Sequence, residues 1–397
     1  MKRTILILLS VMASLALSVG QTRSVVTLEK GWKFTREDNP DSRNTDYDDS
    51  NWQNVRVPHD WAIYGPFDKN NDIHRMAIVQ DGQTSAIEHY GRTGGLPFTG
   101  AAWYRVNFSI PDFDEGKRVT VKFDGAMSNS RVYVNGEEAG FWPYGYNTFY
   151  FDITDLLNAD GRDNTLAVRL ENPEESSRWY PGAGLYRNVH LITTNGSHIP
   201  VWGTYITTPV VNDEFARVDV QTKVVTGGEG EYKLVTEILD DDNNFVTSAE
   251  SALTRFDQNE FSQEFVVENP ELWGIQQPNL YKAVSKLYKN GKQVDEYNTT
   301  FGIRTVEVVA DEGFYLNGEL VKFQGVCLHH DLGPLGAAVN DAAIRRQIRI
   351  MQDMGVNAIR TAHNMPSPDF VRIADEMGMM VMAESFDSWR IPKVRNG

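Results

Sequence analysis

The alternation of strands and helices between Leu320 and Trp389 constrains this chain most. "LVKFQGVCL" (Leu320 to Leu328) is an apolar run rich in β-formers that stops at His329, His330 and Asp331. A helix is expected next: Asn340 suits an N-cap, Ile344, Ile348, Met351 and Met354 recur at helical spacing, and Gly355 ends it. "VNAIRTAHN" (Val356 to Asn364) reads as a second strand, after which Ser367 and Pro368 cap and open another helix that Gly378 closes. "MMVMAE" (Met379 to Glu384) is a third strand. Strands separated by helices imply a parallel sheet, the opening of a (β/α)8 barrel. In such a barrel chemistry sits where strands run out into loops. Here those ends carry His329, His330 and Asp331, then Arg360, His363 and Asn364, then Glu384, Asp387 and Trp389. Planar polar groups gathered with an aromatic ring suit a sugar.

The rest of the chain reads as all-β. Residues 24–198 form one expected domain: "WYRVNFSI" puts Tyr104, Val106, Phe108 and Ile110 on one side and Arg105, Asn107 and Ser109 on the other. Val119, Val121 and Phe123, and Leu166, Val168 and Leu170, alternate in the same way. Asn135-Gly136 signals a hairpin, and many short strands with glycine turns point to a jelly-roll sandwich. Residues 68–100 lack periodicity and read as a long surface loop. Residues 199–308 repeat the alternation in about seven short strands, with Asn290-Gly291 as a further hairpin, which argues an immunoglobulin-like sandwich. Residues 309–397 then hold the incomplete barrel, with Asn317-Gly318 turning a hairpin at its mouth.

Composition narrows the function classes. A formal charge of -16 disfavours nucleic acid and anionic membrane, which would both repel the chain, but leaves a neutral ligand unaffected. Lys2 and Arg3 followed by an apolar run from Ile5 to Val19 read as a cleavable signal peptide over residues 1–20, so export to the periplasm or beyond is expected. Cys327 is the single cysteine, which rules out an internal disulfide; in a barrel strand it is expected as a small buried filler.

Several long segments resemble glycoside hydrolase family 2, in particular bacterial β-galactosidases. They are "GVCLHHDLGPLG", "MGVNAIRTAHNMPSP" and "MAESFDSW" in the barrel, and "VPHDW", "FDGAMSNSRVYVNG", "PYGYNTFYFDIT" and "SSRWYPGAGLYRNV" in front of it. The resemblance implies a sugar-binding jelly roll, an immunoglobulin-like domain and a TIM barrel. It also implies a retaining hydrolase that removes terminal β-linked galactose with two glutamates on later barrel strands. No catalytic residue is therefore assigned before Gly397. A non-catalytic carbohydrate-binding or scaffold role is the alternative, and β-glucuronidase or β-mannosidase activity is the alternative within the family. Some relatives use Mg²⁺ or Na⁺, for which no full ligand set can be assigned here. The expected partner is carbohydrate, and assembly into a homo-oligomer stays open.

Each candidate has a plainer reading beside the functional one. Glu384 and Asp387 invite comparison with the carboxyl pair of a retaining glycosidase, which sits about 5–5.5 Å apart. Family position favours Glu384 as a hydrogen-bonding group on the rim instead. His329, His330 and Asp331 are residue types that bind metals, but no thiolate or spaced second histidine accompanies them. The resemblance favours one histidine donating to a sugar hydroxyl, with loop packing as the alternative. His363 corresponds to the histidine of the family's arginine–small–small–histidine segment and is given a substrate role. Arg360 divides between substrate contact and an internal salt bridge. Asn364 stands where relatives carry tyrosine, and Trp389 divides between sugar stacking and core packing. Arg178, Trp179 and Tyr180 are expected at a domain interface, with direct sugar contact as the alternative, and His59, Asp60 and Trp61 as structural, with Asp60 holding a turn.

Overall fold

A computed structural model describes residues 22–76, 85, 87–89, 93–110, 113–158, 162–177, 179–253 and 259–387. The expected signal peptide, Arg178 and Trp389 lie outside them.

The alternating segments near the front pair into two facing sheets. One runs Arg23–Thr27, Val189–Asn195, Lys117–Phe123, Phe149–Asp152. The other runs Gln53–Val55, Trp32–Thr35, Gly100–Phe108, Asn164–Asn172, Ser130–Val134, Glu137–Trp142. Val119, Val121, Phe123, Leu166, Val168 and Leu170 all fill the space between them, as period-2 patterning requires. Asn135 and Gly136 take the positive φ values (53° and 89°) that a two-residue hairpin demands, joining Ser130–Val134 to Glu137–Trp142.

Arg105, on the polar side of its strand, is buried: its Nε donates to Asp49 at 2.8 Å and its Nη1 to the Ser42 and Asn44 carbonyls. Segment 39–52 folds back over the outer sheet face, so an outward residue can still be covered. Within the expected loop 68–100, His74–Met76 pairs antiparallel with Ile87–His89.

The middle domain is a sandwich of a three-stranded and a four-stranded sheet. Val218, Val220, Phe265, Val267 and Ile238 form one part of its core, and Val224, Tyr232, Leu234 and Phe261 the other. Asn290 and Gly291 again take positive φ, 50° and 78°. Arg23, on the edge strand of the front sandwich, reaches into this domain and pairs with the fully buried Asp295 at 2.7 Å. Asp295 also accepts from the Ile199 amide, at the link between the two domains.

Three parallel strands follow: Gly325–Leu328, Ala358–Thr361 and Met380–Ala383, in that spatial order. Helix α1 (Asp341–Asp353) lies between the first two, capped by the Asn340 side chain on the Ala343 amide. Helix α2 (Pro368–Glu376) lies between the second and third, capped by Ser367 on the Phe370 amide. Both caps are the ones the sequence names. The helices bury Ile344, Ile348, Ile373 and Ala374 against Val326, Leu328, Ile359 and Val381 on one face of the sheet.

The barrel expectations fail at four points. The run Leu320–Leu328 is not one strand: Glu319–Val321 belongs to a separate antiparallel sheet with Gly313–Leu316 and Val306–Val309. The Asn317-Gly318 hairpin lies at the floor and not the mouth. Leu316 packs with Trp273 and Met380, and Met380 begins its strand. Met354 falls at the C-cap of α1 and is exposed. Cys327 is also exposed, because it alternates with Val326 and Leu328 and so faces away from the helices. In register with it stand Arg360 and Met382, on the face that a closed barrel would enclose.

Trp273 joins the middle domain to the barrel. Its indole donates to the Asp375 carbonyl in α2 at 2.8 Å, and the Arg304 guanidinium lies 4.8 Å from its ring. The side chain is 2% exposed. Trp273→Ala is therefore expected to destabilise the protein by about 3–5 kcal/mol, measured as a lower midpoint in urea unfolding.

Candidate carbohydrate site

The three strand ends converge beside the front sandwich. Arg360, near the end of the second strand, forms an ion pair with Glu384 at 2.7 Å. The Glu384 amide donates to the Thr361 hydroxyl at 3.2 Å, which fixes the third strand's exit against the second. His363 sits beside this pair, its Nδ1 3.3 Å from Arg360 Nη2, 3.5 Å from Glu384 Oε2 and 3.9 Å from Asp387 Oδ1. His329, from the first strand end, brings its ring to 5.4 Å from that of His363. His329, Arg360, His363, Glu384 and Asp387 thus share one site.

The front sandwich supplies the opposite wall. Trp179 stacks on His329 at 5.4 Å with 30° between the planes, and lies 5.2 Å from His363. Its indole N–H donates to the Tyr146 hydroxyl. Tyr144 donates its hydroxyl to the Ser385 carbonyl at 3.2 Å. Burial pushes the Tyr144 phenol up to about 12, and the nearby Asp387 and Glu384 carboxylates act in the same direction. It is a protonated donor at any ordinary pH. Between the two walls lies a cleft of about 480 Å³ bordered by Asn129, Tyr144, Trp179, His363, Phe386 and Asp387, within the size range of small-molecule sites.

The remaining sequence candidates lie elsewhere. His330 turns into the domain junction, with Nε2 2.9 Å from the Pro181 carbonyl and its ring against Tyr146 and Tyr186. Burial, helped by the nearby Arg187 charge, lowers its pKa to about 3, so it is neutral. Asn364 is buried beneath the second strand end, its carbonyl accepting from Thr361 Oγ1. Asp331 is exposed. Among the described residues no three His, Cys, Asp or Glu side chains converge as a metal ion would need, so no Mg²⁺ or Na⁺ site is assigned to them. Tyr144 is what sequence reasoning missed, and Trp179, expected at a domain interface with direct sugar contact as the alternative, both packs on the barrel side and borders the cleft. A tryptophan inside a domain that approaches a strand-end rim was the available signal.

The junction that holds the two walls together centres on Asp60. Its carboxylate, 1% exposed, accepts from the Tyr180 hydroxyl at 2.6 Å, the Ala337 amide at 2.8 Å and the Ala62 amide at 3.1 Å. Burial raises its pKa, while these donors act against that rise. Arg187, also buried, donates to the Asp124, Tyr146 and Met365 carbonyls and so ties the sandwich to the loop after His363.

Comparison with known proteins agrees with this architecture. Residues 25–195 match the sugar binding domain of glycosyl hydrolases family 2, residues 306–389 its TIM barrel domain, and residues 198–304 a segment described simply as glycosyl hydrolases family 2. The chain belongs to glycosyl hydrolase family 2. Beta-galactosidase BoGH2A of Bacteroides ovatus is 39% identical over 91% of this chain and 41% of that protein. A beta-glucuronidase of Bacteroides fragilis is 28% identical over 84% of this chain and 49% of that protein. A solved family 2 member from Bacteroides cellulosilyticus superposes with TM-score 0.84 at 34% identity, covering 92% of this chain and 46% of the other. The Bacteroides uniformis beta-glucuronidase structure gives 0.76 at 26%, covering 90% and 42%. This family 2 chain therefore spans less than half the length of each of these relatives.

A pH dependence follows from the buried histidines. His330 and His59 have pKa values lowered by burial to about 3 and about 4, below the ordinary 6.5. The unfolded chain therefore binds more protons between those values and 6.5. Their contribution to stability is complete above pH 6.5 and is lost as pH falls toward 4, by at most about 1.4 kcal/mol per pH unit for each histidine. Urea midpoints measured from pH 7 to pH 4.5 should fall, and less steeply in His330→Asn.

Proposed function

We propose that this chain furnishes half of the sugar pocket of an exported exo-acting β-glycosidase, with a neutral β-galactoside as the preferred substrate. The observation that carries this reading is the cleft between Trp179 and Tyr144 on one side and His363 and Asp387 on the other, with the Arg360–Glu384 pair next to His363. A pyranose presents an apolar face and a rim of hydroxyls. Trp179 offers a ring for the face. The His363 ring offers an N–H that can be donated to a sugar hydroxyl. Asp387 offers an acceptor.

Charge favours galactose over glucuronate. A glucuronidase needs a cation for the substrate carboxylate. Among the described residues the lining of this cleft includes no Lys or Arg side chain, and Arg360 beside it is paired with Glu384. The beta-glucuronidases among the relatives keep that substrate as the alternative.

Catalysis by this chain alone is not expected. Among the described residues the carboxylates at the strand ends are Asp331, Glu384 and Asp387. Glu384 is engaged by Arg360, and the family resemblance puts both catalytic glutamates on later barrel strands than these. Purified protein should give no turnover of 4-nitrophenyl β-galactoside above buffer. It should bind galactose in calorimetry more tightly than glucuronic acid, and Trp179→Ala or His363→Ala should weaken that binding at least about tenfold, as loss of a stacked ring or a paired hydroxyl would. Turnover by the wild-type chain, or preference for glucuronic acid, would refute the respective part of the reading.

A further inference from the structure

The cleft between sandwich and barrel has a second end that a sugar stacked on Trp179 does not account for. Three neighbouring strands of the larger front sheet, Ser130–Val134, Glu137–Trp142 and Asn164–Asn172, reach it. Their register sets Ser130 opposite Trp142 and Arg131 opposite Arg169. The residues just beyond the sheet, Asn129, Pro143 and Pro173, therefore emerge at the same edge. They border the cleft of about 480 Å³ together with Met127 and Ser176.

The polar groups at this end fall into two sets. Some are used within the protein: Ser128 Oγ donates to the Glu171 carbonyl at 2.9 Å, Ser177 Oγ to the Trp179 carbonyl at 2.8 Å, and Asn172 Nδ2 to the Phe98 and Gly182 carbonyls. Asn129 and Ser176 are not used up in this way. Asn129 takes φ 45°, a left-handed conformation that asparagine adopts more readily than most residues. Its backbone amide donates to the Pro143 carbonyl at 3.0 Å and its Nδ2 to the Glu171 carbonyl at 3.1 Å. A carbonyl can only accept, so that second bond settles which end of the carboxamide is nitrogen. It holds the side chain still and leaves Oδ1 as an acceptor with no donor among the described residues. Ser176 is partly exposed, and its hydroxyl likewise has no partner among the described residues. Pro143 is exposed and Pro173 partly so, which gives this end two small apolar surfaces.

We propose that the sandwich end of the cleft is a subsite for the second sugar residue of the substrate, with Asn129 and Ser176 as its specificity-determining residues. The terminal sugar stands at the barrel end, against Trp179, His363 and Asp387. The residue linked to it lies with C–H groups against Pro143 and Pro173, donates one hydroxyl to Asn129 Oδ1 and shares another with Ser176 Oγ. Among the described residues the lining holds no Lys or Arg side chain and includes Asp387, so a neutral second residue fits where an acidic one would be repelled. The inference rests on the sugar reading of the cleft and adds the class of substrate: a neutral disaccharide or longer glycan, not a galactoside of a small non-sugar group.

Calorimetry on the full chain compares methyl β-galactoside with lactose, allolactose and β-1,4-galactobiose. At least one disaccharide is expected to bind about tenfold or more tightly than methyl β-galactoside, as two added hydrogen bonds and an apolar contact would give. The variant is Asn129→Gly/Ser176→Ala, in which glycine keeps the positive φ without strain; circular dichroism checks its fold. There the ratio of disaccharide to methyl β-galactoside affinity is expected to fall below about threefold. Ser176→Ala alone removes one hydroxyl from a loop outside the core and is expected to lower the ratio about twofold or more. A ratio near one for every disaccharide in the wild-type chain, or an undiminished ratio in the folded variants, would overturn this inference while leaving the cleft a site for one sugar. Binding of none of the four ligands would refute the sugar reading of the cleft and this inference with it.

Discussion

A single buried carboxylate holds the sugar site together. Asp60 belongs to the front sandwich, but its oxygens are shared among the Tyr180 hydroxyl, the Ala62 amide and, across the domain boundary, the Ala337 amide. An unpaired charge at that depth would cost several kcal/mol, so the donors must all be present for the junction to close. Space around it is equally demanding. A Cβ on Gly336 would stand 2.4 Å from Asp60 Oδ2, and one on Gly182 would stand 2.5 Å from the Ala337 Cβ. Both glycines also take positive φ, 60° and 82°. The loop after the first parallel strand and the loop bearing Trp179 are thus fixed to each other by one anion and two missing side chains.

The cleft follows from that closure. Tyr180 bonds Asp60 while its neighbour Trp179 lies over His329 and His363. Pro181 receives His330. Consecutive residues therefore serve the junction and the site in turn, and the aromatic wall is no more mobile than the junction beneath it. On the barrel side the Arg360–Glu384 pair fixes the second strand to the third.

Much of this was legible in the sequence because local rules dominated. Asn340 and Ser367 cap the helices they were expected to cap, and Asn135-Gly136 and Asn290-Gly291 turn the expected hairpins. Those signals depend on a few neighbouring residues and one backbone conformation. What escaped depended on what covers a face. Arg105 sits at an outward position by periodicity but lies under segment 39–52. Cys327 sits at an inward position for a closed barrel, and three strands leave it exposed. The strand-end rule named His329, Arg360, His363, Glu384 and Asp387, which lie close together, and also His330 and Asn364, whose side chains turn away from the cleft. Which of two adjacent histidines faces a cavity is decided by Pro181, Tyr146 and Tyr186, residues distant in sequence.

Arg187 carries a consequence for transplanting this loop. The loop after the second parallel strand does not satisfy its own backbone: the Met365 carbonyl finds its donor in a guanidinium of the front sandwich. Asp369, at the start of α2, likewise receives the Asn188 amide. A strand-end loop of this type cannot be grafted onto another barrel as an independent module. Without the sandwich it would present unmet acceptors at the base of the sugar site, so variation in this loop must be accompanied by variation in the domain that precedes it.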